Sequence, residues 1–335
     1  MDASVPDLLR LLGVPVLGWA AIRDVRTRRV PNGVWWPLAL LGVGLLVWEG
    51  AVRVGAPFGF RLWAVRVALS LGIVVPLAYA FWYVGGFGGA DAKAFMVLAV
   101  LFPTFPTYQV LDRTLPLVMT ELGVFSLTIL TNTVLVGLLF PLALGLRNLA
   151  RGELSWVMFL GHRVRATELE RRHGSLLETP DGATGRGLDL DALRMYLRWR
   201  GLDLETLRAH PELAHPDTLP DEPGAPTDGA VETDGAVETD GGGRPAGSAG
   251  DWEWVDLGED PSDRWGAEAF LADIDSDAYG TTPETLRDGL DVVTRRDEVW
   301  VSPGVPFVVP TFVGLVLALT AGDILFWGLG VVGLV

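Results

Sequence analysis

The stretch "GGFGGADAKAF", residues 85–95, decides how this chain is read. It lies between two long apolar runs and puts a carboxylate, Asp91, among glycines at the mouth of the second run. Two residues later stands Lys93, the only lysine of the 335-residue chain. A charge at that position is costly in an apolar setting, so it needs a reason.

Outward from this stretch the composition divides into blocks. Residues 8–146 and 305–335 are almost continuously apolar, and 147–304 are polar and acidic. A soluble enzyme mixes the two kinds on a short period. A bilayer core is about 30 Å thick and needs about 20 apolar residues per helix, which these blocks supply. Helices or closed barrels alone satisfy the backbone in lipid, and unbroken apolar runs favour helices. The expectation is an all-α polytopic membrane protein in the lipid bilayer. Six transmembrane helices are expected, over 5–22, 33–48, 62–84, 92–108, 122–146 and 305–334. The first apolar run, with no basic segment before Pro6, reads as a retained helix and not a cleaved signal.

Arginines set the expected orientation. The loop "RDVRTRRVPN" (23–32) carries Arg23, Arg26, Arg28 and Arg29, and Arg147 and Arg151 follow the fifth run. These mark the cytoplasmic side. The domain reading is a membrane core over 1–146, a cytoplasmic acidic insert over 147–304 and a sixth helix over 305–335. The insert reads as something other than one compact domain. Residues 188–210 have helical periodicity, and short helices are expected near 267–274 and 283–290. From Asp217 to Asp263 there are 14 acidic residues and one basic, including the repeat "TDGAVETDGAVETD". Disorder is expected near 215–265.

The composition excludes several functions. There is no cysteine, hence no disulfide, thiolate metal site or cysteine nucleophile. The four histidines all lie in the polar block without ligand spacing, so neither metal nor cofactor is expected. A net charge of −15 argues against nucleic-acid binding. Together with arginine in place of lysine, it resembles the salt-adapted composition of a halophilic archaeon.

Asp24 ends the first expected span and Asp91 begins the fourth. Their separation of 91 − 24 = 67 residues contains two spans, one out and one back. An even number of crossings returns both acids to the same face. Taken singly, Asp24 reads as an ion-pair partner of Arg23 or Arg28, and Asp91 as a helix cap. Capping does not call for Gly85, Gly86, Gly88 and Gly89, which permit close backbone approach. Two adjacent carboxylates share a proton and serve in turn as general base and general acid, without metal or thiol. Asn32 reads as the cap of the second helix, and from its motif also as a candidate site-shaping residue. Lys93 reads as a snorkelling side chain or a site residue, and Asn132 as an interhelical hydrogen bond. Asp323, inside the last span, reads as packing or interfacial.

In these motifs the chain resembles the type IV prepilin peptidases, above all the archaeal prepilin and preflagellin peptidases. "RDVRTRRVPN" is similar to their aspartate block, "GGAD" (88–91) with Lys93 to their glycine–aspartate motif, and "VWVSPGVPFVVPTFVG" (299–314) to the block leading into their last helix. The resemblance covers the membrane portion. It implies an intramembrane aspartic endopeptidase that cuts class III signal peptides of archaellin and type IV pilin precursors at the cytoplasmic membrane face. Asp24 and Asp91 carry over as the catalytic pair, and Gly88 and Gly89 as the loop shaping their site. Lys93 and Asn32 lie beside those motifs. Methyltransferase activity, which bacterial members combine with paired cysteine motifs, is not expected. Two other readings compete: a presenilin-type protease cutting inside a transmembrane helix, and a transporter or membrane scaffold.

Overall fold

The computed structural model describes residues 2–84, 86–220, 222–224, 229, 231, 263–274, 278–304 and 306–333. The chain forms two compact units, Met1–Phe140 with Val305–Val335, and Pro141–Gly304.

The first unit is built from apolar helices. Ser4 caps α1 (Val5–Arg10) by accepting the Asp7 N–H. After two residues α2 (Gly13–Thr27) continues nearly in line, and Arg28 ends it in the left-handed region at φ 54°. The helix therefore outlasts the expected boundary at Ile22 and takes Asp24 into its last turn. A single 3-10 turn, Asn32–Val34, leads into α3 (Trp35–Arg53). Next come α4 (Pro57–Leu69) and α5 (Val75–Tyr83), joined by a π-helical turn over Ser70–Val74. α6 (Gly89–Leu101) follows the glycine stretch. α7 (Phe125–Ala150) begins in this unit.

Among the described residues, four helical stretches are long and apolar enough to cross a membrane: Val5–Thr27, Asn32–Arg53, Pro57–Tyr83 and Phe125–Ala150. The expected six spans reduce to these four, with one shorter helix in the fourth run and two in the last. α6 has 13 residues, about 20 Å of helix against a hydrocarbon core of about 30 Å. It stops at Phe102, before Pro103, and most of its residues are buried. Its apolar sequence reflects enclosure by other helices, which hydropathy does not distinguish from lipid. Gly42 lets α3 approach α6 closely, since a Cβ there would stand 3.1 Å from the Leu101 nitrogen. Instead of continuing to Tyr108 as helix, the chain enters an antiparallel sheet of β1 (Asp2–Ala3), β2 (Tyr108–Val110) and β3 (Arg113–Leu115), in that order.

The last apolar run is also divided. The second unit's longest strand occupies its approach, and the helices are α12 (Val308–Thr320) and α13 (Ile324–Val331). Asp323 starts α13 by accepting the Phe326 N–H at 3.1 Å, and it also accepts Thr128 Oγ1 at 3.0 Å. Asn132 donates to the Gly322 carbonyl at 2.8 Å and accepts the Ile324 N–H at 3.1 Å. The packing role expected of Asp323 and the interhelical bond expected of Asn132 both hold, at a helix break the apolar pattern conceals.

The second unit corrects the expectation that the polar block is not one compact domain. Its sheet has β4 (His162–Arg165) and β5 (Ser175–Leu176) on either side of β8 (Glu298–Ser302), all antiparallel. A small hairpin pairs β6 (Glu178–Thr179) with β7 (Gly182–Ala183). The expected helices appear as α8 (Leu190–Arg200), α9 (Leu204–Ala209), α10 (Ala267–Asp273) and α11 (Pro283–Arg295). They enclose a core containing Tyr196, Trp199, Trp265, Phe270 and Leu290. Tyr196 donates to the Trp265 carbonyl at 2.6 Å, and the Trp265 indole donates to Asp291 at 2.8 Å. Residues 232–262, the greater part of the stretch expected to be disordered, lie outside the described residues. At its edges, Pro216–Thr218 is a 3-10 turn and Trp265 is core.

Candidate active site

Asp24 and Asp91 approach each other from different helices. Asp24 sits in the last turn of α2, and Asp91 at the third position of α6. Ala20 and Ala21, one turn before Asp24, and Ala94, one turn after Asp91, share one buried cluster with Val308 at the start of α12. Small side chains let these helix ends draw close. Both acids are buried, 8% and 9% exposed, and they lie near enough that the charge of Asp24 acts on Asp91.

A backbone N–H faces each carboxylate. That of Val308 lies near Asp24, which also faces the charge of Arg28. Of the two expected ion-pair partners it is thus Arg28 that bears on Asp24. Arg23 instead donates to the Arg29 carbonyl and lies over the Trp19 ring at 5.5 Å. Asp91 Oδ2 accepts the Gly88 N–H at 3.0 Å, so the capping expected of Asp91 is present. Capping fixes the carboxyl group in place through Oδ2.

The glycines divide in their roles. A Cβ on Gly88 would stand 3.0 Å from Asp91 Oδ2 and press on the carboxylate. A Cβ on Gly89 would meet nothing nearer than Trp82 Nε1 at 3.9 Å and Lys93 Nζ at 4.0 Å. A side chain at Gly88 would shift the Asp91 carboxylate, and Gly89 leaves room.

Lys93 and Asn32 meet each other. Lys93 Nζ donates to Asn32 Oδ1 at 2.6 Å on the exposed side of the site. This corrects the reading of Asn32 as a helix cap. Its side chain caps nothing, since Pro31 is the capping position of the 3-10 turn and supplies no side-chain bond. The bond ties the arginine loop behind Asp24 to the helix of Asp91.

Several residues near the acids have no signal in the sequence. Val308 contributes through its backbone alone. Phe87, inside the glycine stretch, stacks on Phe81 at 5.0 Å and Phe95 at 5.5 Å, and tilts against Phe307 at 5.0 Å. These rings join the glycine loop to the segment that carries Val308. At the other ends of the same helices lies a buried charge cluster. Arg10, 1% exposed, donates to both Glu49 oxygens at 2.9 Å, to Asp7 at 2.8 Å and to the Leu101 carbonyl at 2.7 Å. Glu49 also accepts the Trp63 indole N–H at 3.2 Å. A cavity of about 490 Å³ opens beside it.

Residues 11–142 match the model of the type IV leader peptidase family. Asp24, Asn32, Gly88, Gly89, Asp91 and Lys93 all fall inside that range. The chain is also 29% identical over 145 residues to a preflagellin peptidase of Methanococcus voltae, covering 42% of this chain and 57% of that protein. This chain thus spans little more than half the length of the curated relative it matches. No solved structure matches it. The two matches bear out the resemblance carried by the aspartate motifs.

Proposed function

We propose that this chain is a membrane aspartic endopeptidase that removes class III signal peptides from archaellin and type IV pilin precursors. The observation that supports the reading is that two buried carboxylates on separate helices, Asp24 and Asp91, lie near enough for the charge of the first to act on the second.

Two acids so placed share one proton. The ionised carboxylate takes a proton from water, whose oxygen bonds to the peptide carbonyl carbon. The protonated carboxyl group polarises the carbonyl oxygen. As the carbon–nitrogen bond breaks, a proton passes to the departing amine and the two acids exchange roles. Titration then belongs to the pair and not to either residue. No cofactor, metal or thiol enters the scheme. Gly88 and Gly89 shape the approach of the peptide, and the Lys93–Asn32 bond holds the two aspartate segments in register.

In this reading the arginine loop faces the cytoplasm, which puts the acids and the acidic unit at the cytoplasmic face of the cell membrane. The cut falls just before the apolar helix of the precursor. The acidic excess keeps the soluble unit hydrated in a salt-rich archaeal cytoplasm. Steering of basic signal peptides by that excess is weak, because at about 1 M salt the Debye length is about 3 Å. A methyltransferase activity has no place in the scheme.

Co-expression with an archaellin precursor tests the assignment through the masses of the products. Cleavage at the polar–apolar junction supports it. A cut inside the apolar helix would support a presenilin-type protease instead.

A further inference from the structure

Beyond the end of α7 the chain turns back on the helix it has just left. Asn148, fully buried in the last turn, donates to the Met158 and Gly161 carbonyls, both at 2.7 Å. These bonds clamp a 3-10 turn, Trp156–Phe159, against the helix. The Phe159 ring lies on Gly145, where a Cβ would overlap it. Gly145 stands 150 − 145 = 5 residues before the end of α7, about 8 Å back along it. The turn is therefore level with the apolar part of α7.

One side of the turn is occupied. Val157 is buried with Leu177 and Trp300, and Met158 packs against them. The other side is apolar and open. Leu154 is 72% exposed and Trp156 59%, with Phe159 and Leu160 exposed beside them. On α7 itself Leu142, Leu146 and Leu149 are exposed along one face, and Gly145 neighbours the first and last of these by helical spacing. The open side of the turn thus adjoins the open flank of the helix. Charge follows the same division. The one acid of residues 151–160, Glu153, has its Oε2 buried. Arg147 and Arg151 are exposed. The charges of both, and of Arg172, act on His162, so three cations gather beside the turn.

An apolar patch of this kind calls for a partner. α7 is long and apolar enough to cross a membrane, so whatever meets its flank meets the turn too. Apolar side chains with tryptophan among them and arginines at the rim are the chemistry of the bilayer surface. We propose that the outer side of the turn, Leu154, Trp156, Phe159 and Leu160, is immersed in the bilayer surface, with Arg147 and Arg151 on the phosphates of anionic lipids. The inference rests on α7 as a span and not on the peptidase reading. It gives the acidic second unit, which an anionic surface repels, a fixed seat on the membrane.

The test uses the full chain in vesicles of phosphatidylcholine and phosphatidylglycerol in equal parts. The chain has no cysteine, so Leu160→Cys carries a single nitroxide label. Ala209→Cys, at an exposed position of α9, is the control. Oxygen concentrates in lipid and a nickel chelate in water, so collision rates with the two report where each label lies. The label at position 160 should meet nickel several-fold less than the control, and oxygen more. With that label in place, Trp156→Ser should raise nickel contact at any salt. Arg147→Gln with Arg151→Gln should raise it at low salt, where the cations are unscreened. A nickel collision rate equal to the control's overturns the inference. So does protection from nickel and oxygen alike, which would mean that a second copy or another protein covers the turn. Should Leu160→Cys fail to fold, Leu154→Cys carries the label instead, with the same outcomes deciding.

Discussion

The ammonium of Lys93 lies 2.6 Å from the side-chain oxygen of Asn32, joining the loop that follows Asp24 to the helix that carries Asp91. The chain's only lysine and the asparagine of its "PN" pair are thus one device.

Because this bond is exposed, it adds at most about 1 kcal/mol to stability. Its effect belongs in the alignment of the acids, where small displacements cost far more. Lys93→Met and Asn32→Leu should each slow precursor cleavage by about 10-fold or more, with little change in melting temperature. The double variant should be no slower than the worse single one, as a shared interaction requires. Steady-state rates for the four proteins check this. Additive losses would mean that the two residues act separately.

The buried cluster at the other ends of these helices should govern stability. Removing one partner of a buried ion pair strands the other, at about 3–5 kcal/mol. Glu49→Ala leaves the Arg10 guanidinium, 1% exposed, without its two-pronged acceptor. Arg10→Met combined with Glu49→Leu should be less destabilising than the two single losses summed. Denaturant unfolding in detergent measures the order.

Asp189 makes the polar unit sensitive to pH. It caps α8 by accepting the Asp191 N–H at 2.7 Å, yet burial pushes its carboxyl group up to about 6. The folded state thus holds this proton more tightly than the unfolded chain, whose carboxylate titrates near its ordinary value. The resulting stability is fully present below the ordinary value and is lost as pH rises through about 6. It amounts to roughly 3 kcal/mol. Asp189→Asn keeps a capping oxygen and should remove the slope. Hydrogen exchange in α8 of the full chain, at pH 4.5 and pH 7, should show parent protection falling with pH and variant protection unchanged.

The legible parts of the fold are those with a long-range pattern. Blocks of apolar residues marked the membrane unit, and counting crossings from Asp24 to Asp91 paired the acids before any coordinates. The same hydropathy overextended α6, because a helix enclosed by helices and one facing lipid are both apolar throughout. The division at Asp323 was hidden for a related reason, since the polar cap is paid for by Thr128 and Asn132, distant in sequence. Strands of two to five residues carry too few alternations to read, so the sheet around β8 went unseen. Val308, which contributes only its backbone, and Arg10, a lone cation whose partners are 3 and 39 residues away, leave no mark in the sequence pattern.

The most direct measurement is cleavage of an archaellin precursor by the intact protein and by Asp24→Asn and Asp91→Asn, each in membranes and each confirmed as folded. The two-carboxylate account predicts processing by the intact protein and none by either variant. Processing that persists in either single variant would contradict it.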